Sequence, residues 1–186
     1  MWWARLLNNI AGIFGTGVIP GDYESIQTTV VGAGGASSIT FSSIPSTYKH
    51  LQIRAILRSA GASNASSSMQ FNGDTAANYS SHSLTGDGSS ASAGASASAS
   101  NIGGVQYWTN TSLFSTEIID ILDYANTNKY KTTRMLAGVD GNGSGYVTLT
   151  SGNWRSTAAI TSIVINVQGA NNFAQYSHFA LYGIKG

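Results

Sequence analysis

The stretch His50-Leu-Gln-Ile-Arg-Ala-Ile-Leu-Arg-Ser59 alternates with a period of two. Leu51, Ile53, Ala55 and Leu57 fall on one side, and Gln52, Arg54 and Arg58 on the other. That is the pattern of a strand with one face buried and one face in water. Ile56 breaks the pattern, because it sets a large aliphatic among the outward positions and needs a neighbour to cover it. Such a strand is not stable alone, so it implies a sheet and a second layer to bury the apolar side.

Working outward, the same period returns on both flanks. Strands are expected at Tyr23–Val31, Ile39–Phe41, Met69–Phe71, Gly104–Trp108, Phe114–Tyr124, Thr132–Val139, Tyr146–Leu149, Ile160–Val167 and Phe173–Ile184. Phe114–Tyr124 has the length of a helix, and its β-branched residues Ile118, Ile119 and Ile121 decide for a strand. Gly, Asn, Ser and Pro separate the segments. Many short strands between turn residues read as an all-β fold, a jelly-roll-like antiparallel β-sandwich over residues 21–186. Within it, the Gly/Ser/Ala-rich tract near 85–104 reads as a surface loop. The alternative is an arm that orders against a neighbouring subunit.

Residues 1–20 form a separate segment with a different period. Trp2, Trp3, Leu6, Leu7, Ile10, Ile13 and Phe14 recur at spacings of three and four, which predicts a short N-terminal helical segment with one apolar face. Gly15 and Gly17 end that pattern. A signal peptide is not expected, because Arg5 follows two tryptophans and no small-residue cleavage pattern appears. The stretch is also too short and too polar at Asn8 and Asn9 to cross a bilayer. Three readings stay open: a helix folded back on its own domain, a docking segment buried in another subunit, and a membrane-surface helix. Docking through Trp2, Trp3, Leu6, Leu7, Ile10 and Phe14 is preferred, since adjacent tryptophans are costly to leave in water.

Composition narrows the function. Charged residues make up only 9% of the 186, against about 25% in ordinary globular chains, and net charge is +1. Ser, Thr, Asn and Gly replace the missing charge, which suits strands and turns and leaves little self-repulsion to oppose association. Nine basic residues spread along the chain make no phosphate-binding stripe, so no nucleic-acid partner is expected. The chain has no cysteine, which excludes disulfides, Cys-ligated zinc and thiol catalysis.

Motifs for chemistry are missing or incomplete. His50, His82 and His178 are far apart and lack metal-ligand spacing, and the two beside strands read as hydrogen-bonded structural residues. No G-x-S-x-G elbow appears. Asp140-Gly-Asn-Gly-Ser-Gly145 opens like a calcium loop, but Ser151 stands where the bidentate Glu belongs, so a β-turn is expected. Gly32-Ala-Gly34 follows a strand without opening a helix, and reads as a hairpin turn. Asp120 and Asp123 would face opposite sides of a strand, which argues against a glycosidase pair. No enzyme activity, cofactor or metal is therefore expected. The positive binding signal is a set of aromatics near turns, Tyr107, Trp108, Tyr124, Tyr130 and Trp154. They suit a subunit interface before a sugar.

One resemblance covers most of the chain after residue 20. Its residues are Gly21-Asp-Tyr-Glu-Ser-Ile26, Thr40-Phe-Ser-Ser-Ile-Pro-Ser-Thr-Tyr-Lys-His-Leu-Gln-Ile-Arg54, Phe71-Asn-Gly-Asp-Thr75, Asn78-Tyr-Ser80 and His82. They continue through Asp123-Tyr-Ala-Asn-Thr-Asn-Lys-Tyr-Lys-Thr132, Trp154, Thr157-Ala-Ala-Ile-Thr161 and Ser177-His-Phe-Ala-Leu-Tyr-Gly-Ile-Lys-Gly186. In these the chain resembles small tailed-bacteriophage virion structural proteins of the tail-fibre or decoration type. The resemblance implies a virion component made in the host cytoplasm. The expected role is a tail fibre or tail-tip protein, with a head decoration protein and a soluble carbohydrate-binding module as alternatives. The expected partners are other virion proteins through the N-terminal segment, two further copies in a homotrimer and a host-surface glycan, without membrane insertion.

Overall fold

The computed structural model describes residues 21–61, 64–107, 112–169 and 171–186. The attachment segment 1–20 and Trp108 lie outside these. The described residues hold twelve strands and no helix. In chain order they are β1 (Tyr23–Val30), β2 (Ser38–Phe41), β3 (His50–Leu57), β4 (Ala65–Phe71), β5 (Tyr79–Gly86) and β6 (Ala91–Ala99). Then follow β7 (Ile102–Tyr107), β8 (Ser115–Leu122), β9 (Lys131–Asp140), β10 (Gly145–Trp154), β11 (Ile163–Gln168) and β12 (His178–Ile184).

One sheet has the order β1-β12-β3-β8-β9-β10-β5-β6, the other β2-β11-β4-β7, and every pairing is antiparallel. Setting aside the hairpins β5–β6 and β9–β10 leaves two four-stranded sheets, β1-β12-β3-β8 and β2-β11-β4-β7. The chain passes between them in the order of a jelly roll. Both hairpins extend the larger sheet on the β8 side, so it outgrows the smaller one.

The core lies between the jelly-roll strands and takes in Met135, Trp154 and Tyr79 from the two hairpins. Leu51, Ile53, Ala55 and Leu57 of β3 point inward as their spacing requires, against Phe41, Met69, Phe71, Ile163 and Ile165 of the smaller sheet. Burying each large side chain is worth about 1.5–3 kcal/mol. Phe114–Tyr124 resolves as the strand β8, with Ser115, Glu117, Ile119 and Ile121 inward. Ile56 keeps 48% of its surface exposed on the outer side of β3.

Two turns clarify the connections. Asp140–Gly145 closes the β9–β10 hairpin: the Gly141 N–H donates to Ser144 O at 2.6 Å, and the Asn142 N–H to Asp140 Oδ1 at 2.8 Å. Asn142 and Gly143 take positive φ of 61° and 94°, the pair that an Asn-Gly hairpin turn needs. Gly32–Gly35 is also a turn, with Gly35 N–H on Gly32 O at 3.0 Å, but not the expected hairpin. It carries the chain from β1 in one sheet to β2 in the other, because β2 pairs with β11.

The tract near 85–104 is corrected from loop to strand. Asp87–Ser90 turns, held by Asp87 Oδ1 accepting from the Ser89 and Ser90 N–H groups at 2.8 and 2.7 Å, and the chain bends again at Ser100 and Asn101 before β7. Ala91–Ala99 pairs along β5 as the sheet edge. Backbone hydrogen bonds to β5 form this strand, so it needs no apolar side chain.

Candidate functional site

The insertion of two hairpins changes the inner face of the large sheet. Register aligns one row as Ala55 (β3), Glu117 (β8), Ala137 (β9), Thr148 (β10), Thr85 (β5) and Ser92 (β6). The next row runs Ile53, Ile119, Met135, Thr150, Ser83 and Gly94. The side chains turn from aliphatic to hydroxyl between β9 and β10. There the sandwich opens into a groove of about 420 Å³, lined by Ser81, Ser83, Thr85, Tyr146, Thr148 and Thr150 from the large sheet. Gly103 and Gly104 of β7 form the opposite wall. A Cβ on Gly104 would lie 3.0 Å from the Ser67 carbonyl oxygen, so glycine lets β7 approach β4 this closely.

Hydrogen bonding inside the groove is incomplete. The hydroxyls of Thr85 and Thr148 pair at 2.9 Å. Two strands along the sheet from Thr148, Glu117 is 1% exposed, and neither carboxylate oxygen makes a hydrogen bond of good geometry. Burial pushes its carboxyl up to about 7, opposed by the Ser67 hydroxyl. The Tyr146 phenol oxygen is buried and likewise unpartnered. Burial pushes it up to about 12, the Ser115 hydroxyl opposes this, and the charge of Glu117 adds to it. Such orphaned groups are uncommon in folded proteins, and each needs a physical account.

Among the described residues, the groove has no nucleophile–base pair, and Asp87 is the one carboxyl lining it; its own turn's N–H groups hold it below the usual carboxylate range. Among the described residues, no three His, Asp or Glu gather to hold a metal, and no helix is long and apolar enough to cross a membrane.

The structure disperses the aromatics singled out from sequence. Tyr124 and Trp154 are core residues, which corrects their reading as surface groups. Tyr124 is fully buried and donates its hydroxyl to the Pro45 carbonyl. Trp154 packs on Phe71 and Tyr79 and donates Nε1–H to Asp74 Oδ2 at 2.7 Å. Both sit near turns, and those turns fold over the end of the sandwich. Tyr130 is exposed at 53%, and Tyr107 belongs to β7. His50 is a structural histidine whose Nδ1 accepts the Asp123 N–H at 3.0 Å, while His82 lies exposed on β5.

A second surface lies on the outer side of the same sheet. Leu84, Leu149, Leu136 and Ile118 stand in register across β5, β10, β9 and β8, each at least a third exposed. Four aliphatics side by side on an uncovered sheet face form a patch, unlike the scattered apolar residues of ordinary surfaces.

No known protein family, no curated protein and no solved structure matches the chain. The two surfaces are therefore interpreted from their own chemistry.

Proposed function

We propose that the protein is a non-enzymatic structural component of a bacteriophage particle. Its place is a tail fibre or tail tip in preference to the capsid surface, where it assembles as a homotrimer and takes part in host attachment. The observation that carries this reading is the outer row Leu84–Leu149–Leu136–Ile118 on a sheet enlarged beyond the needs of its core. A face of that kind is stable in water when it is covered by association. The low charge of the chain and the jelly-roll order of the strands, an architecture recurrent in viral coat proteins, support the same reading. Immunogold labelling of intact particles tests it. Labelling at the tail in a constant copy number is expected, and particles without the protein would overturn it.

A further inference from the structure

We infer that the groove between β7 and the β10–β5 strands is a binding site for a neutral saccharide. Its wall presents the hydroxyls of Ser81, Ser83, Thr148 and Thr150, and each hydroxyl can both donate and accept. A ligand rich in hydroxyls matches such a wall, because every group on either side finds a partner. An anion does not fit. Among the described residues no Lys or Arg lines the groove, and the carboxylate of Asp87 at the wall would repel one. An apolar ligand fits no better, since it would strip water from these hydroxyls and return nothing.

Tyr146 strengthens the assignment. Tyr146 contributes its ring to the groove while its hydroxyl lies unpartnered near Glu117. A saccharide ring offers both an apolar face for the tyrosine and hydroxyls beyond it. Seated between Thr148 and Tyr146, one such hydroxyl gives the Tyr146 phenol oxygen a partner, directly or through a single water. The volume of about 420 Å³ lies within the range of small-molecule sites.

The inference rests on the host-attachment part of the proposed function for the source of the saccharide, a cell-surface glycan. Saturation-transfer NMR on the full chain tests it with glucose, galactose, mannose, N-acetylglucosamine, lactose and maltose, and with N-acetylneuraminic acid as the anionic control. At least one neutral sugar should receive saturation and the anion none. Affinity for that sugar should fall about tenfold in Thr148→Val/Ser83→Ala, the loss expected for two hydrogen bonds, and stay unchanged in Leu136→Ser on the outer face. Thr148→Val alone serves if the double variant does not fold. Transfer to no neutral sugar, transfer to the anion only, or unaltered affinity in the groove variant would overturn the assignment. Particle labelling is read independently, so a protein that labels the tail but ignores every sugar removes the groove assignment and leaves the structural role intact.

Discussion

Along β3 and β8 the inward positions hold Leu51, Ile53, Leu57, Ile119 and Ile121, whereas along β10 and β5 they hold Thr148, Thr150, Ser81, Ser83 and Thr85. Both halves of the sheet obey the same alternation. They differ in what lies opposite: the smaller sheet covers the first half, whereas the second packs Tyr79 and Trp154 into the core at one end and opens into the groove along the rest. In the jelly-roll half, side chains hold the fold together. The strands of the inserted half gain less from packing and more from the backbone ladder, which frees their side chains to be polar, as in β5 and β6. Stability and display are thereby assigned to different stretches of one sheet.

The largest expected effect lies in the jelly-roll half. Phe71, fully buried between Tyr79 and Trp154, should lose about 3–5 kcal/mol on replacement by Ala, while Thr150→Val in the inserted half should change stability by less than about 1 kcal/mol. For a domain of this size, the Phe71→Ala loss lowers Tm by roughly 6 to 20 °C. Equal losses in a thermal melt would erase the distinction.

Next in size is Glu117, at the boundary between the halves. Its folded pKa of about 7 stands above the ordinary glutamate value of 4.5, because burial disfavours the charged form. The folded chain thus holds a proton that the unfolded chain releases near pH 4.5. Stability is highest below that pH, declines as pH rises from about 4.5 to 7, and levels off above it. Denaturation across pH should show Glu117→Gln flattening this slope. The variant should be more stable at pH 8 by about 1–3 kcal/mol and little different at pH 4.

Two glycines sharpen the comparison. A Cβ at Gly183 of β12 would come within 2.3 Å of the Tyr48 ring, whereas one at Gly86 of β5 meets nothing within 4 Å. Urea titration should give a loss of about 1–3 kcal/mol for Gly183→Ala. Gly86→Ala should be neutral or gain about 0.4–1 kcal/mol through the unfolded state.

Much of the jelly-roll half was legible in the sequence. The run 50–59 carries its alternation in Leu, Ile and Arg, residues whose preference for core or water is strong. Alternation between Ser and Ala in 91–99 is equally regular but carries almost no transfer free energy, so it read as a loop. Tyr79–Gly86, with serines at three of its eight positions, was missed for the same reason. Glu117 could have been found, because it shares the parity of the inward Ile119 and Ile121. The groove itself could not, since it depends on which strands the smaller sheet covers, and that is a matter of topology. Tyr124 and Trp154 failed as surface candidates because closeness to a turn says nothing about where the turn folds.

The outer row is where the smallest stability effect and the largest effect on assembly should coincide. Leu136→Glu/Leu149→Glu replaces two exposed side chains, and its Tm should stay within about 2 °C of the parent, as is usual for surface changes. The decisive measurement is the copy number of this double variant in purified particles, set beside the parent protein. A folded variant that is absent or strongly depleted, with the parent present at constant stoichiometry, is the predicted result. Equal incorporation of the two would contradict the claim that this face joins the protein to its particle.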